Sequence, residues 1–233
     1  MSGARYSAPR TALRTAAIMV AFTVVFTALM AFTYTSTRPA IEASMQEQQM
    51  RLINEVLPPA SYDNALLDDV VTVAAPAPGL AAGSRIWRAR KGGAPAALVI
   101  EATAPDGYAG RIELVVAIGA DGAVSGVRIV AHKETPGLGD YIDPKKDRNK
   151  SAPWIGQFTG LHWNAAQAAQ WTVKKDGGVF DYRTGATLSA RAVARAVGHA
   201  AGFAATHRDR LFAAPSGSTV DGAAGTAATG DSR

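Results

Sequence analysis

Two segments of the 233-residue chain combine glycine with polar side chains in a way that could hold a ligand. The first, HKETPGLGD, spans residues 132–140, and its proline and glycines predict a tight turn whose backbone can approach a flat molecule closely. Glu134, Thr135 and Asp140 place polar groups beside that turn. An ordinary glycine-rich connection has the same pattern, so this segment alone does not predict binding.

The second segment, DYRTGATLSARAV, spans residues 181–193. Its pattern predicts the end of a strand, a turn at Gly185 and a helix that begins near Ser189, a good N-cap residue. Thr184 and Thr187 place hydroxyl groups just before that helix, where free N–H groups and the helix dipole favour a phosphate. A plain helix cap explains the same residues, and the lysine of a P-loop is missing, so both interpretations stay open.

Composition excludes several other kinds of site. The chain has no cysteine, which excludes disulfides, thiolate-bound metals and a cysteine nucleophile. Its four histidines have no metal-like spacing, so we expect no metal site. Lys+Arg number 24 against 19 Asp+Glu, but Arg5, Arg10 and Arg14 account for much of the net charge of +5. That charge is poor support for a nucleic-acid partner.

An uncharged stretch of 23 residues separates Arg14 from Arg38. Its most apolar part, Ala16–Phe32, approaches the ~30 Å hydrocarbon core of a membrane when it is helical. The run is longer than the roughly 7–15 apolar residues of a signal peptide, and no A-x-A site follows, so we expect a retained transmembrane helix over residues 15–37. The preceding arginines predict that residues 1–14 lie in the cytoplasm and that the residues after about 38 lie in the bacterial periplasm.

The elements after the span predict an antiparallel α+β domain. Residues 38–60 have the pattern of a juxtamembrane helix that Pro58-Pro59 ends, and residues 61–212 form the domain itself. Residues 74–83 resemble a linker, and residues 213–233 are expected to be disordered. The expected elements are strands at 86–90 and 97–103, a hairpin over 112–129 with its turn at Asp121-Gly122, a second hairpin at 171–182, and a helix over 189–212 with Val193, Val197, Ala201 and Ala204 on one face.

In combination, the two glycine-containing segments resemble a known family. D-x-x-[ST]-G-A-T, which ends here at Thr187, is similar to the flavinylation motif of the FMN-binding domain family. ETPGLGD, followed by Ser151, Trp154, Ile155 and Phe158 in a Ser-x-x-Trp-Ile-x-x-Phe pattern, resembles one branch, the G subunit of Rnf (Rsx) ion-translocating electron transport complexes. The flavinylation motif also occurs in the related C subunit of the sodium-translocating quinone reductase.

The resemblance implies FMN linked covalently, by a phosphoester, to Thr187 of an inner-membrane electron-transfer subunit. The isoalloxazine would lie against residues 134–139 with Leu138 as an apolar lid. A separate exported flavin transferase would recognise Asp181 and the residues after it, and other subunits would couple electron transfer on the ferredoxin/NAD side to ion translocation. The residues expected at the cofactor are Glu134, Thr135, Pro136, Gly137, Leu138, Gly139, Asp181, Thr184, Gly185, Ala186, Thr187, Leu188 and Ser189.

Three functions stay open on the sequence. The first is the Rnf-type subunit, the second is the corresponding quinone reductase subunit, and the third is an exported flavin-binding or sensory module without redox turnover. We expect no turnover by the isolated chain. Asp68-Asp69 and the pair Asp140/Asp143 are weak candidates for acid–base chemistry, and the basic stretch 144–150 is expected to be a solvated loop.

Overall fold

The computed structural model describes residues 8–222. The chain divides into two compact units, residues 1–49 and residues 50–233. Helix α1 (Ala8–Val56) provides the described residues of the first unit, and its last turns belong to the second.

Helix α1 is by length and composition apolar enough to cross a membrane, and its most apolar stretch is not buried against the rest of the protein. Threonine hydroxyls along it bond back to the helix itself: Thr23 Oγ1 donates to Met19 O at 2.8 Å and Thr33 Oγ1 to Leu29 O at 2.9 Å. The residues expected for the span and those expected for the juxtamembrane helix belong to this one helix, which continues through Pro39 to Val56.

The second unit is built on a six-stranded sheet with the strand order β5-β4-β3-β2-β1-β6. All neighbouring strands are antiparallel except β1 and β6, which are parallel. The hairpin expected over 112–129 is confirmed, with Gly122 at φ +86° in its turn. The strands are β1 (Val70–Val73), β2 (Arg85–Lys91), β3 (Ala94–Gly107), β4 (Gly110–Gly119), β5 (Val124–Ala131) and β6 (Thr219–Val220).

Both faces of the sheet are covered. On β4, Ile112 and Leu114 pack into the larger core together with helix α2 (Thr187–Ala213). The alternate residue Val115 faces the other way, into a smaller cluster that includes Ile53 from the end of α1. The sheet is therefore the middle layer, and α2 lies along one of its faces.

The beginning of α2 differs from the expectation. The helix begins at Thr187, two residues before Ser189, and its N-cap position is Ala186. Ser189 is not a cap, because its side chain is buried in the first turn and donates to Glu134. The buried stripe expected on the helix is confirmed, since Val193 and Val197 are fully buried.

Two other expectations were wrong. Residues 171–182 do not form a hairpin: they contain a short 3-10 helix (Lys174–Asp176) and a single parallel bridge between Val173 and Phe180. The side chains of Trp171 and Phe180 both pack into one aromatic cluster, with ring centroids 5.5 Å apart. They therefore do not follow the alternation of inward and outward side chains that two strands would require. The segment after Ala213 forms β6 within the described residues, and residues 223–233 lie outside them.

Candidate functional site

The glycine-containing segment after β5 forms the expected tight turn. The backbone N–H groups of Leu138 and Gly139 both donate to Thr135 O, at 3.1 and 3.2 Å. Gly137 has a φ of +77°, which favours glycine, and its N–H donates to Asp140 Oδ1 at 2.9 Å. Thr135, Pro136, Gly137 and Leu138 are exposed on the surface of this turn.

The threonine-containing segment approaches α2 without forming a strand. Asp181 is held at its backbone, because its N–H donates to Gln157 Oε1 at 2.7 Å and its carbonyl accepts from Trp154 Nε1 at 2.6 Å. Gly185 then turns the chain with a φ of +86°. Thr187 follows, half-buried, as the first residue of α2.

One buried carboxylate joins the two segments. Glu134 is 4% exposed, and its Oε2 accepts from Ser189 Oγ at 2.5 Å. Its Oε1 accepts from the backbone N–H of Ala109, at the tip of the β3–β4 hairpin, at 3.1 Å. Gly139 packs against the same pair, since a Cβ there would lie 2.5 Å from Ser189 Oγ. The turn, the start of α2 and the hairpin tip therefore meet at Glu134.

Large apolar side chains are exposed around this junction. Tyr108, Leu138 and Leu188 are 68%, 54% and 43% exposed. Each of them directly precedes a residue at Glu134: Ala109 and Ser189, which donate hydrogen bonds to its carboxylate, and Gly139, which packs against it. The other large hydrophobic side chains exposed within residues 50–222 are Val130 and Val179. These three exposed apolar side chains are therefore candidates for contact with a flat organic ligand.

Tyr108 is the residue of this surface that sequence reasoning missed. It lies at the tip of the β3–β4 hairpin, 26 positions before Glu134 in the chain, and the antiparallel pairing of β4 with β5 brings that tip beside the residues that follow β5. The signal in the sequence was an aromatic residue directly after Asp106-Gly107 in a turn, which by itself indicates a hairpin and not a site.

The residues before α2 are braced by Tyr141. Its hydroxyl accepts from the backbone N–H of Arg183 at 3.1 Å and donates to Ala186 O at 3.3 Å. The Arg183 guanidinium lies over the Tyr141 ring, 4.5 Å from its centroid. Burial raises the pKa of the Tyr141 hydroxyl, so it keeps its proton for the contact with Ala186.

Asp147, which lies in the basic stretch 144–150, also holds Arg183 in place. It is 1% exposed, forms an ion pair with Arg183 and accepts from the backbone N–H of Trp154 at 2.7 Å. Burial acts to raise the pKa of Asp147, but these hydrogen bonds, the one from Asn149 N–H and the charge of Arg183 together hold it below its ordinary value. The stretch is therefore not simply the solvated loop that we expected, because Asp147, its one acidic residue, is buried and forms an ion pair with Arg183.

The start of α2 fits the phosphate of an FMN. No side chain within residues 8–222 caps its N-cap position, and no acidic residue lies in its first turn. The first N–H groups of a helix have no partner inside the helix, and the dipole there favours an anion. Thr187 Oγ1 is placed at this end, and the exposed surface of Tyr108, Leu138 and Leu188 lies around the adjoining junction.

Two family models match the chain: the FMN-binding domain over residues 107–202 and the RnfG N-terminal region over residues 1–56. The G subunit of the ion-translocating oxidoreductase complex of Pseudoalteromonas atlantica is 42% identical over 84% of this chain and 90% of the relative. The chain belongs to this G-subunit family. The G subunits of Pseudomonas aeruginosa (43% identical, 88% of this chain, 94% of the relative) and Vibrio cholerae (39%, 85% and 92%) agree with this assignment.

The FMN-binding match includes every part of the junction in this member of the G-subunit family. It begins at Gly107, directly before Tyr108, and continues past Ser189. The RnfG N-terminal match ends at Val56, where α1 ends. Among residues 8–222 there is no group of three or more His, Cys, Asp or Glu residues that could hold a metal ion.

The close packing at Gly139 gives a testable prediction. Gly139→Ala is expected to lower the free energy of unfolding by about 1–3 kcal/mol, because the new Cβ would lie 2.5 Å from Ser189 Oγ and 2.7 Å from Glu134 Oε2. Urea unfolding of the detergent-solubilised chain, followed by tryptophan fluorescence, measures this. Gly156→Ala is the control, since nothing lies within 4 Å of its added Cβ. Equal stability of the two variants would contradict the packing described here.

Proposed function

We propose that this chain is a membrane-anchored electron-transfer subunit that carries FMN through a phosphoester on Thr187. The observation that carries the proposal is the position of Thr187 at an uncapped helix start, beside the exposed apolar surface of Tyr108, Leu138 and Leu188. When bound, FMN supplies the redox chemistry, accepting and passing on electrons. In the complex, those electrons move on the ferredoxin/NAD side and are coupled to ion translocation.

Attachment uses the hydroxyl of Thr187. Its Oγ1 displaces a leaving oxygen at the phosphorus of the flavin nucleotide: the Oγ1–P bond forms, the P–O bond to the leaving group breaks, and the hydroxyl proton departs with that group, so the product equals the chain plus FMN minus one water. The resulting phosphodiester keeps one negative charge, which the N-terminal end of α2 stabilises. Gly185 has no side chain and Ala186 only a methyl group, which leaves room beside Thr187 for the ribityl chain.

A separate exported flavin transferase carries out the attachment, with Asp181 and the following residues as its recognition segment. Asp181 and Thr184 are both exposed, as a recognised segment must be. The Asp181 carboxylate lies 2.5 Å from Lys174 Nζ and the backbone of Asp181 is fixed by two hydrogen bonds, so the segment is presented in one conformation.

Leu138 is proposed to contact the flavin ring as its apolar lid. Leu138→Ala is expected to shift the flavin absorbance maxima and the midpoint potential by exposing the ring to water. An anaerobic spectroelectrochemical titration of the purified chain measures both. Val130→Ala is the matched control, because Val130 is also exposed but lines a separate groove with Arg111 and Glu113. A titration of the Leu138 variant that superimposes on that of the unchanged chain would contradict the contact.

The N-terminus is proposed to be cytoplasmic and the FMN-binding domain periplasmic. Because the chain has no cysteine, single substitutions report the orientation of α1 without background. In intact spheroplasts, a membrane-impermeant maleimide is expected to label the Ser44→Cys chain and not the Ala12→Cys chain, with equal labelling of both after lysis. Labelling of the Ala12 variant alone in intact spheroplasts would reverse the orientation.

Isolation of the chain from its native membranes tests the function as a whole. In mild detergent we expect it to co-purify with iron–sulfur subunits of an ion-translocating oxidoreductase and to keep its flavin after denaturation. The relatives from Pseudoalteromonas and Pseudomonas are G subunits of that complex, so the quinone reductase alternative would need a quinone reductase set of partners instead. A chain isolated without flavin would favour the sensory module.

A further inference from the structure

A cavity of about 640 Å³ lies on the face of α2 that carries Gly198, Gly202 and Thr206. None of the residues lining it belongs to the turn 134–139 or to the segment 181–189. Its volume is within the range of small-molecule sites, roughly 300–1,000 Å³. The cavity is therefore separate from the flavin site and large enough for a ligand of its own.

Two glycines allow two indole rings to pack directly on the backbone of α2 in this cavity. A Cβ on Gly198 would lie 2.5 Å from Trp171 Cβ, and one on Gly202 would lie 2.9 Å from Trp163 Cε2. Both tryptophans line the cavity, together with Phe203. Flat aromatic side chains of this kind favour a flat aromatic ligand, which can stack on a face or an edge.

Two of the residues that line the cavity also carry a buried polar atom without a partner. Among the buried side-chain nitrogen and oxygen atoms of residues 8–222, those without a hydrogen bond are His207 Nε2 and Thr172 Oγ1. The two residues are 8% and 7% exposed, and both line this cavity. Since buried polar groups in native proteins are nearly always hydrogen-bonded, two such atoms in one cavity indicate a missing partner there.

The contacts of His207 determine what that partner must offer. Its Nδ1 lies 3.0 Å from Phe203 O, and a carbonyl oxygen can only accept, so Nδ1 carries the proton. In the neutral imidazole Nε2 is then an acceptor. The ring is held in place by stacking on Phe203, with centroids 4.4 Å apart. A ligand that satisfies Nε2 must therefore donate, from a hydroxyl or an N–H group.

The charged residues at the cavity do not select a charged ligand, because each has a counter-charge. Arg195 lies 3.9 Å from Asp106, measured from Nη1 to Oδ2. Asp176 accepts from Arg191 Nη2 at 2.9 Å. A neutral molecule leaves both pairs intact.

We propose that this cavity is a second ligand site, which binds a neutral, flat aromatic molecule through a hydroxyl or N–H group donated to His207 Nε2. The proposal does not depend on flavin attachment, because the two sites share no residue. The ligand stacks against the indoles of Trp163 and Trp171, and the Thr172 hydroxyl, which can donate or accept, pairs with a second polar group.

Fluorine NMR of the full-length, flavin-carrying chain in detergent tests the site directly. With 5-fluorotryptophan incorporated, the chain has four reporters, of which Trp163 and Trp171 line the cavity while Trp87 and Trp154 do not. The probes are 2-naphthol and 2-methoxynaphthalene, which differ in the O–H donor. We expect 2-naphthol to shift the signals of Trp163 and Trp171 alone, and to bind about tenfold more tightly than the methyl ether.

Three variants locate the binding. His207→Phe is expected to reduce the affinity for 2-naphthol about tenfold, to that for 2-methoxynaphthalene. Ala169→Phe, at the exposed rim of the cavity, is expected to abolish binding of both probes. Ala165→Phe is its control, because Ala165 is exposed on the same short 3-10 helix (Ala165–Gln170) but does not line the cavity.

The outcomes separate cleanly. Shifts confined to the two cavity tryptophans, a preference for the donor and loss of binding in Ala169→Phe would together establish the site. The absence of those shifts, equal affinity for the two probes, or binding that survives Ala169→Phe would overturn the proposal. A shift of Trp154 instead would place the probe beside the segment 181–183, whose Asp181 carbonyl accepts from the Trp154 indole, and would also overturn it.

Discussion

Thr187→Val is expected to abolish covalent flavin while the domain stays folded. Valine has nearly the shape of threonine but no hydroxyl, so no phosphoester can form at this position. Thr187 is half-buried at the first position of α2 and valine nearly keeps its shape, so the free energy of unfolding should change by about 0.5 kcal/mol or less. Flavin fluorescence in a denaturing gel measures the attachment, and circular dichroism measures the fold.

Thr187→Ser is the matched control for that loss. Serine restores a hydroxyl at the same place, so some covalent flavin should return with it. Thr184 is the competing threonine in the segment, and it is exposed before the helix begins. Flavin fluorescence that persists in denatured Thr187→Val chain would contradict the site assignment and would direct attention to Thr184.

The largest expected loss of stability comes from Asp69. This carboxylate neutralises Arg88, which is only 2% exposed, and it also accepts from Arg90 Nε at 2.8 Å. Arg88 in turn donates to the carbonyls of Leu211 and Ala214, at the opposite end of α2 from Thr187. Asp69→Ala leaves a buried guanidinium without its counter-charge, and should lower the free energy of unfolding by about 3–5 kcal/mol.

Asp68→Ala is the control, because Asp68 is the adjacent residue of the same type and its side chain is exposed. Its effect on urea unfolding should be within about 0.5 kcal/mol. Similar losses in the two variants would contradict the role of Asp69. The weak suggestion that Asp68-Asp69 is an acid–base pair has another explanation, since Asp69 forms structural ion pairs with Arg88 and Arg90.

Local patterns made part of the fold predictable. Alternation on β4 and β5 and the Asp121-Gly122 turn were sufficient for that hairpin, because strand period and turn chemistry are short-range properties. The same reasoning failed at residues 171–182, where packing of Trp171 and Phe180 into one cluster overrides the local pattern. The beginning of α2 was misplaced for a similar reason, since Ser189 serves Glu134 rather than the helix end.

The candidate site was predictable only as far as its two segments. The glycines and hydroxyls of each segment marked it in the sequence. The meeting of the two segments at Glu134 depends on the packing of α2 beside the turn after β5, which no local pattern predicts. Tyr108 and Asp147 were missed because nothing adjacent in the sequence marks them. The position of Tyr108 depends on the length of the β3–β4 hairpin. Asp147 has only basic and polar neighbours in the sequence, which give no sign that it is buried and paired with Arg183.

The central claim is the covalent attachment of FMN to Thr187, and the most direct test is the mass of the chain purified from its native membranes and denatured. We predict the mass of the chain plus FMN minus one water, with the addition mapped by peptide sequencing to the fragment that contains Thr187. An unmodified mass, with a flavin transferase present in the same cells, would contradict the claim and leave Thr187 as an ordinary first residue of α2.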